Sequence, residues 1–152
     1  MHIFSNMLFL TVFGDNIEAA LGKVFYLLFY FGGGLAASAA HILVNWGSTV
    51  PSVGASGAIA AILGAYIVMF PQSRVKVLYL SRVGMGITRV TAVLFLGIWA
   101  LSQLFNGVAT LGAATAQTGG VAVWAHLGGF AFGLVIGFLF KARAGKLQTS
   151  AP

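Results

Sequence analysis

The chain has 152 residues, 59% hydrophobic and only 7% charged, and its mean hydropathy is +0.98. So little polar surface cannot coat a soluble globule of this size, which makes it an integral membrane protein. The absence of cysteine excludes disulfides, thiolate nucleophiles and thiolate metal sites, and the net charge of +6 lies between apolar stretches without an aromatic-basic patch, pointing to anionic lipid headgroups and not to nucleic acid.

Apolar stretches run over about 2–13, 24–44, 54–70, 90–105 and 121–140, and predict an all-α, polytopic transmembrane helix bundle with five visible spans. A spanning helix needs roughly 20 apolar residues at about 1.5 Å each. The second, fourth and fifth stretches meet or approach that length, and the first and third are short. The first lacks the basic leader and small-residue cleavage site of a signal peptide, so Met1 is expected to be an internal residue of a longer helix. The expected organisation is a membrane core over 1–140, truncated at its amino terminus, and a cytoplasmic basic tail over 141–152.

Charge placement predicts the orientation. Lys23 follows the first span, Arg74, Lys76, Arg82 and Arg89 lie between or beside the third and fourth, and Lys141, Arg143 and Lys146 follow the fifth, so all eight bases fall on one side. The connections 45–53 and 106–120 carry no charge. Under the positive-inside rule the carboxyl terminus is cytoplasmic, and spans one, three and five begin on the external side. His2, Asn6, Ser56 and His126 then share the outer half of the membrane. His2 is about thirteen residues from Asp15, roughly 20 Å of helix rise against a hydrocarbon thickness of about 30 Å, so it is submerged.

A polar ionisable group in a membrane segment is a functional candidate by default. Ser56 stands in Gly54-Ala55-Ser56-Gly57, at the start of the third span. Taken alone, a serine between small residues is more often a packing residue than a nucleophile. What raises it is the first helical turn, whose free N–H groups and positive dipole end can stabilise an oxyanion. His126 supplies the base type, and Gly129 and Gly133, three and seven residues on, lie on its own helix face. That smooth face is expected to pack closely on Gly57, Ala60, Ala61 and Gly64 of span three.

Asn6 is one turn from His2 on the same face, so the two can present donors to one point or simply bond other helices. The only carboxylates, Asp15 and Glu18, are expected at the opposite membrane face. They are too far to orient the imidazole, which leaves a Ser56–His126 dyad. His41 has no motif around it and reads as structural. With no H-E-x-x-H and no intrahelical aspartate pair, the sequence carries neither a zinc nor a di-aspartyl protease signature.

His2-Ile3-Phe4-Ser5-Asn6-Met7, Phe13-Gly14-Asp15-Asn16-Ile17-Glu18, Gly54-Ala55-Ser56-Gly57 and Ala125-His126-Leu127-Gly128-Gly129-Phe130, in this order, resemble the rhomboid intramembrane serine proteases over nearly the whole chain. The resemblance implies Ser56 as nucleophile, His126 as base, and His2 and Asn6 completing an oxyanion hole with the Ser56 N–H. It implies cleavage of single-pass transmembrane proteins near the outer ends of their helices, without metal or cofactor, in a membrane such as that of a bacterial cell. The family core has six helices, so these five are similar to its second through sixth. Ala60 stands where family members often carry an aromatic ring beneath the histidine. Ser5 occupies a place that is bulky in some relatives, facing Trp99, which marks the two as a gate.

Water for hydrolysis is expected through the small-residue loops at 47–49 and 115–120. Two rival functions stand beside the protease: a non-proteolytic relative, or truncated inactive fragment, that binds transmembrane helices, and a transporter fragment, for which an inverted repeat is missing.

Overall fold

The computed structural model describes residues 2–47, 54–81, 84–110 and 123–150. Its elements are α1 (His2–Leu21), α2 (Lys23–Val44), α3 (Ser56–Met69), β1 (Arg74–Ser81), β2 (Gly84–Thr91), α4 (Ala92–Thr110) and α5 (Val123–Ser150). The axis of the bundle is α3, which has no polar face: from Gly57 to Met69 every residue except Ile67 is buried. A helix that is apolar all round is stable only when covered on all sides, and α3 packs against each of the other four helices. Apolar side chains on their outer surfaces, among them Phe4, Leu28, Leu35, Phe105 and Phe138, are exposed. In water that would be a large unburied apolar surface, and in a bilayer it is the lipid contact.

Among the described residues, three helices are long and apolar enough to cross a membrane: 23–44, 92–109 and 123–145. The shorter α3 has 14 residues, about 21 Å of rise, less than the hydrocarbon thickness. Its start is therefore recessed in the bundle, where Ala37 of α2 and Ala125 of α5 lie against Gly57.

Element boundaries differ from the hydropathy expectation in three places. The first helix runs on past Asp15 and Glu18 to Leu21, because Ile17, Ala20 and Leu21 continue the buried stripe begun by Phe13 and Gly14 while Asp15 is exposed. Gly22 then breaks the chain at φ +83°, a conformation open to glycine but strained for other residues, and α2 begins. The fourth span opens at Ala92, since Val90 and Thr91 close a strand. The fifth helix runs on past the end of its apolar stretch at Phe140 to Ser150.

The hairpin between α3 and α4 was not foreseen from hydropathy. It is antiparallel, with register from Arg74↔Thr91 to Ser81↔Gly84, in a segment rich in β-branched residues at alternate positions, Val75, Val77, Thr88 and Val90. Its base is pinned by Ala92 N–H donating to the Ser73 carbonyl at 2.8 Å and by Val93 N–H donating to that of Pro71 at 3.1 Å. Val75 is buried in the core and Val77 packs against it.

Candidate active site

The α3–α5 crossing is built from residues without side-chain bulk. A Cβ added to Gly129 would fall on the Gly57 carbonyl oxygen, one added to Gly133 on that of Ala61, and one added to Gly64 on that of Phe130. Gly137 continues the row against Ala65, where an added Cβ would stand 3.0 Å from the Ala65 Cα. The backbones thus touch along the whole seam. Gly57 also meets Ala37, and Gly128 meets Ala40, so α2 closes the same junction from a third side. Close approach of this kind draws on van der Waals packing, the main source of helix association in lipid.

Ser56 is the first residue of α3 and is half-buried. Gly54, two residues before it, has φ +143°, which explains a glycine at the head of the motif. Ile59 N–H donates to the Ala55 carbonyl at 3.0 Å, closing the first turn, and no side chain caps the helix. The N–H groups of Ser56, Gly57 and Ala58 therefore have no intrahelical acceptor and point out of the helix start.

His126 lies one residue beyond Ala125, whose carbonyl oxygen would be 3.6 Å from a Cβ on Gly57. Its side chain is only 7% exposed. Nδ1 is 2.9 Å from Oε1 of Gln103 on α4. An amide oxygen can only accept, so Nδ1 carries the hydrogen and donates it. The amide is held the right way round, since Gln103 Nε2 donates to Ser102 Oγ at 3.4 Å and Ser102 Oγ donates to the Trp99 carbonyl at 2.6 Å. With Nδ1 protonated, Nε2 of the neutral ring keeps its lone pair. That atom is buried without a hydrogen-bond partner among the described residues, and no hydrogen bond joins it to the Ser56 hydroxyl. A buried polar atom left open requires an explanation, and a reactive role is one.

The imidazole is further held by Trp99, whose ring centroid is 5.9 Å from that of His126 and 5.7 Å from that of Phe130. Aromatic support thus comes from α4, across from the small Ala60 of α3. Gln103 is the residue the sequence reading passed over, because only carboxylates were considered as orienting partners. Two signals mark it: it is a polar residue inside an apolar span, and it lies four residues after Trp99, on the same helix face.

On α1, His2 is exposed and Asn6 half-buried. The Asn6 side chain makes no hydrogen bond among the described residues, and Ser5 Oγ donates to the His2 carbonyl at 3.2 Å. His41 belongs to the end of α2, where Asn45 Nδ2 donates to the His41 carbonyl at 2.9 Å and lies 3.4 Å from its Nδ1. At the other end of α1, Asn16 Nδ2 donates to the Tyr66 hydroxyl at 3.4 Å, so Asp15 and Glu18 sit beside the far end of α3. The segments at 48–49 and 115–120 expected to admit water, and Arg82, lie outside the described residues.

A family model described as the Rhomboid domain matches residues 1–143. No curated protein and no solved structure matches the chain.

Proposed function

The chain belongs to the rhomboid family and is a multi-pass integral membrane protein, and from that premise we propose that it is an intramembrane serine endopeptidase working through a Ser56–His126 dyad. One observation carries the reading: Nε2 of His126, buried and open, beside the helix crossing that brings the start of α3 to α5.

In this mechanism Ser56 Oγ attacks the scissile carbonyl carbon while Nε2 takes its proton. The oxyanion that forms is met by the free N–H groups at the head of α3 and by the Asn6 amide and His2 ring from α1. His126 returns the proton to the leaving amine as the peptide C–N bond breaks. Water, deprotonated by the same nitrogen, then releases the acyl group from Ser56. The Nδ1–H to Gln103 bond keeps the ring in the tautomer that these steps need, the part a carboxylate plays in soluble serine proteases.

The substrates are single-pass transmembrane proteins, whose helices enter from the bilayer between α1 and α4, past Ser5 and Trp99. No cofactor is required for acyl transfer of this kind. The basic end of the bundle faces the cytoplasm of a bacterial cell and the site opens toward the external side.

A fluorophosphonate probe on the detergent-solubilised chain tests the reading. Labelling of the wild type that vanishes in Ser56→Ala and falls sharply in His126→Ala supports it. A chain that is never labelled, yet captures transmembrane helices, is a non-proteolytic binder, and labelling that survives Ser56→Ala places the nucleophile elsewhere.

A further inference from the structure

The β1–β2 hairpin has two unlike faces, and one of them is covered at its base while Tyr79 and Thr88 further along it are exposed. In the observed register Val75, Val77 and Val90 share one face with Tyr79. Val75 is buried and Val77 packs on the core, while Tyr79 folds across Gly86 of the partner strand. The opposite face reads from base to tip as Arg74, Lys76 and Arg89, then Leu78 opposite Ile87 and Leu80 opposite Met85. The four apolar side chains of that tip are 64% (Leu78), 85% (Leu80), 72% (Met85) and 70% (Ile87) exposed. Among the described elements, the backbone of the strands comes close, apart from each other, to α4.

A two-stranded hairpin presenting such a patch to water would be marginally stable and prone to pair with other chains. It does not stand free in water, because its base is bonded to the first residues of α4, a membrane-crossing helix. A strand of this length reaches roughly 25 Å from that base, enough to lie along the membrane surface. Hydrocarbon does not suit the tip, since a two-stranded sheet has no third strand among the described residues to take up the outward backbone groups of residues such as Leu80 and Ile87. The segment 71–91 holds four of the eight bases of the chain and no acid. Apolar side chains bordered by cations on one face, with open backbone edges, match the headgroup layer of an anionic bilayer.

We propose that the outward face of this hairpin is a lipid-binding surface, with Leu78, Leu80, Met85 and Ile87 seated at the headgroup–acyl boundary and Arg74, Lys76 and Arg89 on the phosphates of anionic phospholipids. The hairpin thereby anchors the α3–α4 end of the bundle to one leaflet. This surface lies at the end of α3 remote from Ser56 and does not depend on the catalytic reading.

The chain has no cysteine, so Leu80→Cys gives a single attachment point for an environment-sensitive fluorophore in the full chain, reconstituted into phosphatidylcholine bilayers with or without phosphatidylglycerol. With the anionic lipid, the emission is expected to shift to the blue, to lose quenching by aqueous acrylamide, and to be quenched more by a nitroxide near the lipid headgroup than by one near the acyl terminus. A fluorophore at Thr88→Cys, on the opposite face, is expected to remain open to acrylamide. Replacing Arg74, Lys76 and Arg89 together by Gln is expected to return the Leu80→Cys signal to its value in neutral bilayers. Emission that stays aqueous in both bilayers, that is the same with and without phosphatidylglycerol, or that follows protein density as pairing with a second copy would, overturns the proposal.

Discussion

Between α3 and α5 the backbones meet, whereas between α1 and α4 only side chains do. The first seam is a row of glycines and alanines pressed against carbonyl oxygens from Gly57 to Gly137. Across the second, no described Cα of one helix comes within 8 Å of the other, and the gap is bridged by rings, Phe9 and Phe13 each 6.3 Å from Phe95 between centroids. Small residues leave no side chain to rearrange, so the first seam has one geometry, while a seam made by side chains alone can change by rotamer without moving backbone. The difference suits the proposed hydrolase, which would have to hold two reacting groups rigidly and still admit a helix from the side.

The tight seam is the more fragile to change. Leucine at Gly133 has to displace the Ala61 carbonyl, a backbone group inside a buried helix. Overpacking of this kind typically costs about 1–3 kcal/mol, more where backbone must move. Gly133→Leu is expected to abolish probe labelling of Ser56 and to lower the thermal midpoint in detergent. On α4 a Cβ at Gly97 meets nothing within 4 Å, and Gly97→Ala is expected to leave labelling intact and to raise stability by up to about 1 kcal/mol through helix propensity. Equal damage from both variants would show that the two seams do not differ as described.

Next in size is the amide that fixes the imidazole. Gln103→Leu removes the acceptor of the His126 Nδ1–H and leaves a buried donor unpaired. Such a loss is worth about 1–3 kcal/mol, or roughly 10- to 100-fold in the rate of probe labelling. Imidazole 15N NMR checks the cause independently of activity: the wild type is expected to show the Nδ1–H tautomer at His126 and Gln103→Leu a mixture. A labelling rate that does not change would leave Trp99 as the sole support of the ring.

Those residues also show what the sequence disclosed and what it withheld. The glycine spacing after His126 placed a smooth face on α5, and the small residues Gly57, Ala61 and Gly64 marked α3 as its partner, because spacing of this kind is periodic and local. Gln103 stayed hidden since its role exists only once α4 lies beside α5, and its own neighbourhood marks it as a polar residue in an apolar span without saying which group it meets. The hairpin was hidden for a different reason. Hydropathy averages over a window, and a strand that alternates Arg74, Val75, Lys76 and Val77 averages to a polar connection even though one face is buried. The end of α1 was misjudged in the same way, with Asp15 and Glu18 outweighing Ile17, Ala20 and Leu21 in the average while the buried stripe ran on.

At the loose seam a smaller effect is expected, and of opposite sign. Phe95→Ala removes the ring that both Phe9 and Phe13 approach and widens the gap between α1 and α4. Cleavage of a transmembrane substrate in bilayers is expected to rise a few-fold, because entry of the helix becomes easier. Labelling by the small fluorophosphonate, which needs no such opening, is expected to remain as in the wild type. A parallel fall in both rates would mean that these rings support the site itself and that α1 and α4 do not form the entrance.

The smallest effect belongs to Ser102, which touches neither the imidazole nor α3. Its hydroxyl donates to the Trp99 carbonyl and its oxygen accepts from Gln103 Nε2 at 3.4 Å, so it acts only by holding the amide the right way round. In Ser102→Ala the amide can rotate, presenting Nε2 to Nδ1 in part of the population. That arrangement favours the tautomer with the lone pair on Nδ1 and the hydrogen on Nε2, which is inert as a base toward Ser56. If the two amide orientations become equal in energy, half of the molecules are inactive and the labelling rate falls by about twofold. Stability should move the other way, since alanine is the better helix former by roughly 0.5 kcal/mol and Ser102 is exposed. A variant that is slower yet more heat-resistant is therefore the signature of an orienting hydroxyl, and one that loses stability and rate together would assign Ser102 to the packing of α4.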